Sequence, residues 1–267
     1  MSACFGKDTV IPLNNIHTTI DKVQPGDKLD NGDVITSVFK VDAVGHSVCN
    51  VNGIQVSSNH KIWTHKDKWV MAGDHPNSKE CEYSEPYLYS LNTSSKKLIL
   101  NDTEFADWDE IVPEDIAKIK ANCAHAIPKN LKPQHLHKYL DGGFAGDTLC
   151  TLKDNSVKRL SELNIDDELI SGEKIKCLVE IDASQYKTLK LLKGKTTNIV
   201  CGPNVRYTEN ENRNMTTLDL DESILNKNKK ENLYSKLYHV ITTTKTITLD
   251  GIICYDYDGC LDKIIEC

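Results

Sequence analysis

Cys4-Phe5-Gly6-Lys7-Asp8-Thr9 near the start of the chain is answered by Gly143-Phe144-Ala145-Gly146-Asp147-Thr148 further on, and the two runs differ at the one residue able to act as a nucleophile. Working outward, Ser57-Ser58-Asn59-His60-Lys61-Ile62-Trp63-Thr64 is echoed by Cys201-Gly202-Pro203-Asn204-Val205-Arg206-Tyr207-Thr208, with Val205 in place of the histidine. A third stretch pairs Leu88 through Asp109 with Leu237 through Asp258 without a gap. The spacing between copies grows from 139 residues at the first run to 144 at the start of the second, 145 at its His60 and Val205, and 149 at the third, as two related units with small loop insertions would give. Three matches in the same order indicate an internal duplication, and a repeat of this kind decides the fold before any single segment does.

The duplication divides the 267 residues into a unit over 1–110, a connector over 111–142 without a counterpart, and a unit over 143–267. Each unit is near the usual size of a domain. Hydrophobic residues at 39% and charged residues at 27% are ordinary for packed proteins and exclude a disordered chain. The formal charge of -7 argues against a nucleic-acid partner, because nonspecific binding to a phosphate backbone needs an excess of Lys and Arg. No apolar run approaches the ~20 residues of a membrane helix, so no membrane partner is expected. The ten cysteines form no C-x-x-C pair and no regular framework, which fits a reducing, intracellular setting. His46 with Cys49, and His135 with His137, lack the second pair that a structural zinc site requires, so no metal and no cofactor is expected.

Short apolar or alternating runs between turn signals predict strands at Thr9 to Leu13, Lys28-Leu29, Val34 to Val41, Val48 to Val51, Ile54 to Val56 and Lys97 to Leu100. Asn31-Gly32, Asn52-Gly53 and Asp250-Gly251 supply the positive φ of tight hairpins. Apolar residues three or four apart predict one short helix in each unit, Ile16 to Val23 and Val157 to Leu163. In the connector, Pro113-Glu114-Asp115 predicts one helix start, and Pro133 predicts a second helix that Gly142-Gly143 stops.

The reactive possibility lies in the first unit. A thiol one side chain beyond a carbonyl can attack that carbonyl and move the acyl group from nitrogen to sulfur, which makes the peptide joining Ala3 to Cys4 the substrate. His60 suits protonation of the leaving nitrogen, because an imidazole titrates near working pH. Ser57 can hydrogen-bond the same amide or the developing oxyanion. A buried Cys is more often a small apolar filler. Here, however, the second copy loses the cysteine and the histidine together, and Ser57 becomes Cys201 as a third change.

These motifs resemble the Hint domain, the module shared by inteins, hedgehog autoprocessing domains and bacterial intein-like domains. Cys4 to Thr9 resembles the opening block of that family, and Ser57-x-x-His60 is similar to its T-x-x-H block. Phe144 to Thr148 followed by Lys153-Asp154 resembles the opening block without the cysteine, and Tyr238 to Thr242 and Gly251 to Tyr257 are similar to the late blocks. The resemblance implies an all-β horseshoe in each unit and a thioester at Cys4, with the residues before Cys4 shed. Water, a thiol or an amine would complete the cleavage, and the chain's own N-terminal flank would be the substrate. Splicing inteins end in His-Asn, whereas Asp107-Trp108 and Asp256-Tyr257 stand here, so N-terminal cleavage or acyl transfer is expected rather than splicing. Ser90 replaces an Asp common in the late block, and no sterol-binding extension is recognisable.

Two other readings stand beside this one. A silent pair of such domains would act as a binding module. A cysteine hydrolase acting in trans would use Cys4 as nucleophile and His60 as base, although no protease signature surrounds either residue. Neither unit carries an insertion long enough for a homing endonuclease.

Overall fold

A computed structural model of the chain describes residues 3–14, 16–64, 68–111, 116–117, 119, 132, 135–184, 186, 188–208, 215–219 and 234–265. The described residues are mostly strand, arranged in several antiparallel sheets, which is the all-β class. The chain divides into two compact units, Met1–His137 and Lys138–Cys267, and the boundary falls inside the segment read as a connector. The helix start at Pro113 lies outside the described residues, as does Pro133. His137–Leu140 is helical and ends before Gly142-Gly143.

In the first unit the long strand Ile35–Asp42 pairs with Tyr87–Thr93, and a bulge interrupts the ladder between Ile35 and Ser37. Lys97–Leu100, Thr103–Ala106, Lys61–Thr64 and Lys68–Met71 form a four-stranded sheet in that order. Ile54–Ser57, Val48–Val51 and Ser78–Glu80 form a three-stranded sheet. Phe5 bridges both Tyr89 and Val56, so the residue after Cys4 is held between two strands that are far apart in sequence. The core beneath contains Phe5, Ile11, Ile35, Val56, Ile62, Leu91 and Phe105.

The second unit repeats much of this backbone. Ile175–Asp182 pairs with Lys236–Thr242 and bulges between Ile175 and Cys177. Phe144 pairs with both Tyr238 and Cys201, as Phe5 does with Tyr89 and Val56. Matching turns are closed by matching bonds: Thr9 N to Gly6 O and Thr148 N to Ala145 O, and Gly32 N to Leu29 O and Gly172 N to Leu169 O. Its own core gathers Phe144, Cys150, Ile175, Ile199, Cys201, Val240 and Ile247.

The helices predicted at Ile16 to Val23 and Val157 to Leu163 are not helices over that length. Ile16–Thr19 and Val157–Arg159 are strands, each followed by a single 3-10 turn, Ile20–Lys22 and Leu160–Glu162. The competing force is visible in two long-range bonds, Ile20 N to Thr9 O at 2.9 Å and Leu160 N to Thr148 O at 2.7 Å. Each takes an amide that a continuous helix would need, and the same apolar spacing then faces the core from a strand and a turn. The helix Tyr257–Ile265 in the second unit has no counterpart among the predicted elements.

Candidate active site around the peptide joining Ala3 to Cys4

The residues singled out in the first unit converge. The Cys4 amide donates to Ser57 Oγ at 3.0 Å, and the Ser57 amide donates back to the Cys4 carbonyl at 2.9 Å. The next turn closes with His60 N donating to Ser57 O at 2.9 Å, which carries the imidazole to the same place. His60 Nδ1 lies 3.4 Å from Cys4 O, and Nε2 lies 2.8 Å from Ala106 O. Ala3 is 1% exposed and Cys4 0%, so the peptide between them is enclosed by the fold.

The histidine is packed between rings. Phe5 lies 4.6 Å away and Phe105 5.6 Å away, centroid to centroid, and no water-facing side remains to solvate a charge. Burial holds His60 down at about 4, against the smaller opposing effects of the carbonyls of Ala106 and Cys4. The imidazole is therefore neutral near pH 7 and has a single N–H. Both ring nitrogens face carbonyl oxygens, and the shorter contact is to Ala106, which puts the proton on Nε2. Nδ1 then presents a lone pair 3.4 Å from the Cys4 carbonyl oxygen, where it donates no hydrogen bond.

This arrangement refines the expected division of labour. The side chain that bonds the Cys4 amide nitrogen is Ser57, while His60 meets the carbonyl of the same residue. Anchoring Nε2 on Ala106 turns the ring that way. Ser90 is also buried, and its hydroxyl has no hydrogen-bond partner among the described residues.

In the second unit the backbone pattern persists without reactive groups. Gly202 N donates to Gly143 O at 2.7 Å, as Ser57 N does to Cys4 O. The counterpart of Ser57 is thus Gly202, and Cys201 corresponds to Val56, since both pair with the aromatic residue of the opening run. That corrects the match of Ser57 with Cys201 by one residue. Val205 N bonds Gly202 O at 3.4 Å, which keeps Val205 opposite His60. Burial pushes the Cys201 thiol up to about 12, so that sulfur stays protonated and unreactive. A Cβ built on Gly143 would meet Tyr238 O at 2.8 Å and Ile181 Cδ1 at 2.9 Å, so the space for a cysteine side chain has been filled. His239 occupies the place of Ser90, is held at about 3 by burial, and leaves Nε2 without a partner among the described residues.

The sequence pattern missed the carbonyl of Ala106 and the buried charges beside it. Lys96 Nζ lies 2.7 Å from Asp109 and 3.4 Å from Asp107, all three away from solvent. The matched pair Asp107 and Asp256 in the third repeated stretch was the available signal. Among the described residues no group of three or more His, Cys, Asp or Glu side chains is placed to hold a metal ion. No family model matches the chain, and no curated protein matches it either.

Proposed function

We propose that the first unit is an autoprocessing domain of the Hint kind, which shifts the Ala3 acyl group from the Cys4 nitrogen to the Cys4 sulfur, and that the second unit is an unreactive copy. The supporting observation is the convergence of Ser57 Oγ and His60 Nδ1 on opposite ends of one residue, Cys4. Neutral Nδ1 takes the thiol proton, and the thiolate attacks the Ala3 carbonyl carbon. A carbon–sulfur bond forms and the carbonyl oxygen takes up negative charge. The Cys4 nitrogen takes a proton from the Ser57 hydroxyl that already bonds it as the carbon–nitrogen bond breaks, and the imidazolium makes good the serine's proton, leaving a thioester and a free amine. Ser57 holds the amide in place until that moment, and a positioned acid or base of this type contributes roughly 10²- to 10⁴-fold. A thiol, an amine or water then releases the residues before Cys4. Asp107-Trp108 stands where a splicing domain would have His-Asn, so the reaction stops at N-terminal cleavage or transfer.

Incubating the chain with a small thiol and hydroxylamine tests the reading. Intact mass should fall by Met1 to Ala3, and Cys4→Ala should keep full mass. The second reading, a silent scaffold that binds a partner, is favoured by the burial of Ala3 and Cys4, which leaves an external nucleophile no open path. Unchanged mass with hydroxylamine in the folded chain would support it over autoprocessing.

A further inference from the structure

The buried ion cluster of the first unit has no role in the chemistry described above. Lys96, Asp107 and Asp109 are enclosed together, an arrangement that is costly to desolvate and weak evidence for stability alone. The cluster is tied into the sheet: Asn92 Nδ2 donates to Asp109 at 3.0 Å and Thr93 N donates to Asp107 at 3.1 Å. The Asp107 amide donates to the Lys96 carbonyl at 3.4 Å. One peptide plane, Ala106 to Asp107, is therefore held on its N–H side by Lys96 and on its C=O side by His60. Lys96 sits at φ 65°, a left-handed conformation that a side chain of this size adopts at a cost.

The second unit keeps the backbone turn and places the ammonium elsewhere. Lys245 has the same left-handed backbone, φ 59°, and its carbonyl accepts from Asp256 N at 3.0 Å as Lys96 accepts from Asp107. Its side chain, however, turns outward to Asp262 at 2.6 Å and is 63% exposed. The backbone turn is common to both units, whereas the buried ammonium occurs in the unit that has a histidine to orient.

We infer that Lys96 is a positioning residue: with Asp107 and Asp109 it fixes the peptide whose carbonyl accepts the Nε2 proton of His60, and so keeps Nδ1 unprotonated beside Cys4. The inference deepens the proposed autoprocessing and rests on it only for the effect on rate. Loss of the cluster frees the Ala106 carbonyl to tilt, and the imidazole then divides its proton between Nε2 and Nδ1. A ring carrying the proton on Nδ1 cannot accept one at the nitrogen that faces Cys4.

The test compares the full-length chain with Lys96→Met/Asp109→Asn, which keeps the net charge of the cluster, and with Lys96→Arg, which keeps a cation. Nitrogen-15 shifts of the His60 ring, assigned by difference against His60→Gln, read the tautomer directly. The parent should show the Nε2–H form alone, the double variant a mixture, and Lys96→Arg the parent form. Release of Met1 to Ala3 by thiol should slow roughly tenfold or more in the double variant. If the double variant does not fold, Asp109→Asn alone serves, with the same direction of change. A parent ring with its proton on Nδ1, or folded variants with unchanged tautomer, overturns the inference. If no variant and no parent releases the segment, the autoprocessing reading fails while the tautomer shifts still decide the role of Lys96.

Discussion

In the first unit the Phe5 pairing is preceded by Cys4, whose amide rests on Ser57 and whose carbonyl faces a buried imidazole. In the second unit the Phe144 pairing is preceded by Gly143, with Gly202 and Val205 in the corresponding places. The backbone bonds survive this exchange almost one for one, so they do not depend on the reactive groups. The reactive groups do depend on the backbone, because the turn from Ser57 to His60 and the peptide after Ala106 set where both ring nitrogens point. The difference also has a direction. In the second unit the main chain at Tyr238 and the Ile181 side chain fill the space beside Gly143, so one substitution there does not rebuild the arrangement around Cys4.

The comparison can be broken at its strongest point by His60→Ala. This removes the base of the proposed shift and should slow release of Met1 to Ala3 roughly 10²- to 10⁴-fold while the same change at Val205 leaves the rate alone. Both rates follow from a mass time course in thiol. A next-largest effect concerns acid. His60 titrates at about 4 when folded against the ordinary 6.5, so the unfolded chain takes up its proton first as pH falls. Stability should be undiminished above about 6.5, decline between 6.5 and about 4 by about 3 kcal/mol from this residue, and level off below. Urea titrations at stepped pH, repeated on His60→Gln, should show that part of the slope vanish. His239 at about 3 extends the decline of the second unit to lower pH.

Gly143→Cys sharpens the contrast from the other side. The new side chain must displace Tyr238 O or Ile181, so it should destabilise by roughly 1–3 kcal/mol in urea unfolding and form no thioester. The smallest effect is expected for Ser57→Ala. It leaves the Cys4 N–H without its partner and should slow release by about tenfold, with about 1–2 kcal/mol lost in stability. Ser57→Thr should restore both, since the hydroxyl is what the amide uses.

Much of the fold was legible because turns announce it. Val48–Val51 and Lys97–Leu100 match the expected strands residue for residue, and Asn52 and Gly53 have the positive φ that an Asn-Gly hairpin requires. The helix Tyr257–Ile265 was not legible, because Gly259 weakens its helical pattern and Trp108-Asp109, where its counterpart in the first unit would begin, form a turn. Cys4, Ser57 and His60 could be singled out because chemistry restricts which side chains serve. The true counterpart of Ser57 could not, since residue type alone does not fix register and only the bond from Gly202 to Gly143 does. The carbonyl of Ala106 was invisible for a simpler reason. A backbone oxygen leaves no mark in the residue code, and alanine at 106 carries no hint that the imidazole rests there.

The most direct test places carbon-13 at the alanine carbonyls and follows the Ala3 carbon in the folded chain without added nucleophile. The proposed shift predicts a signal moving from the amide to the thioester region at neutral pH, absent in Cys4→Ala. A carbonyl that stays wholly in the amide region, even after hydroxylamine, would contradict it.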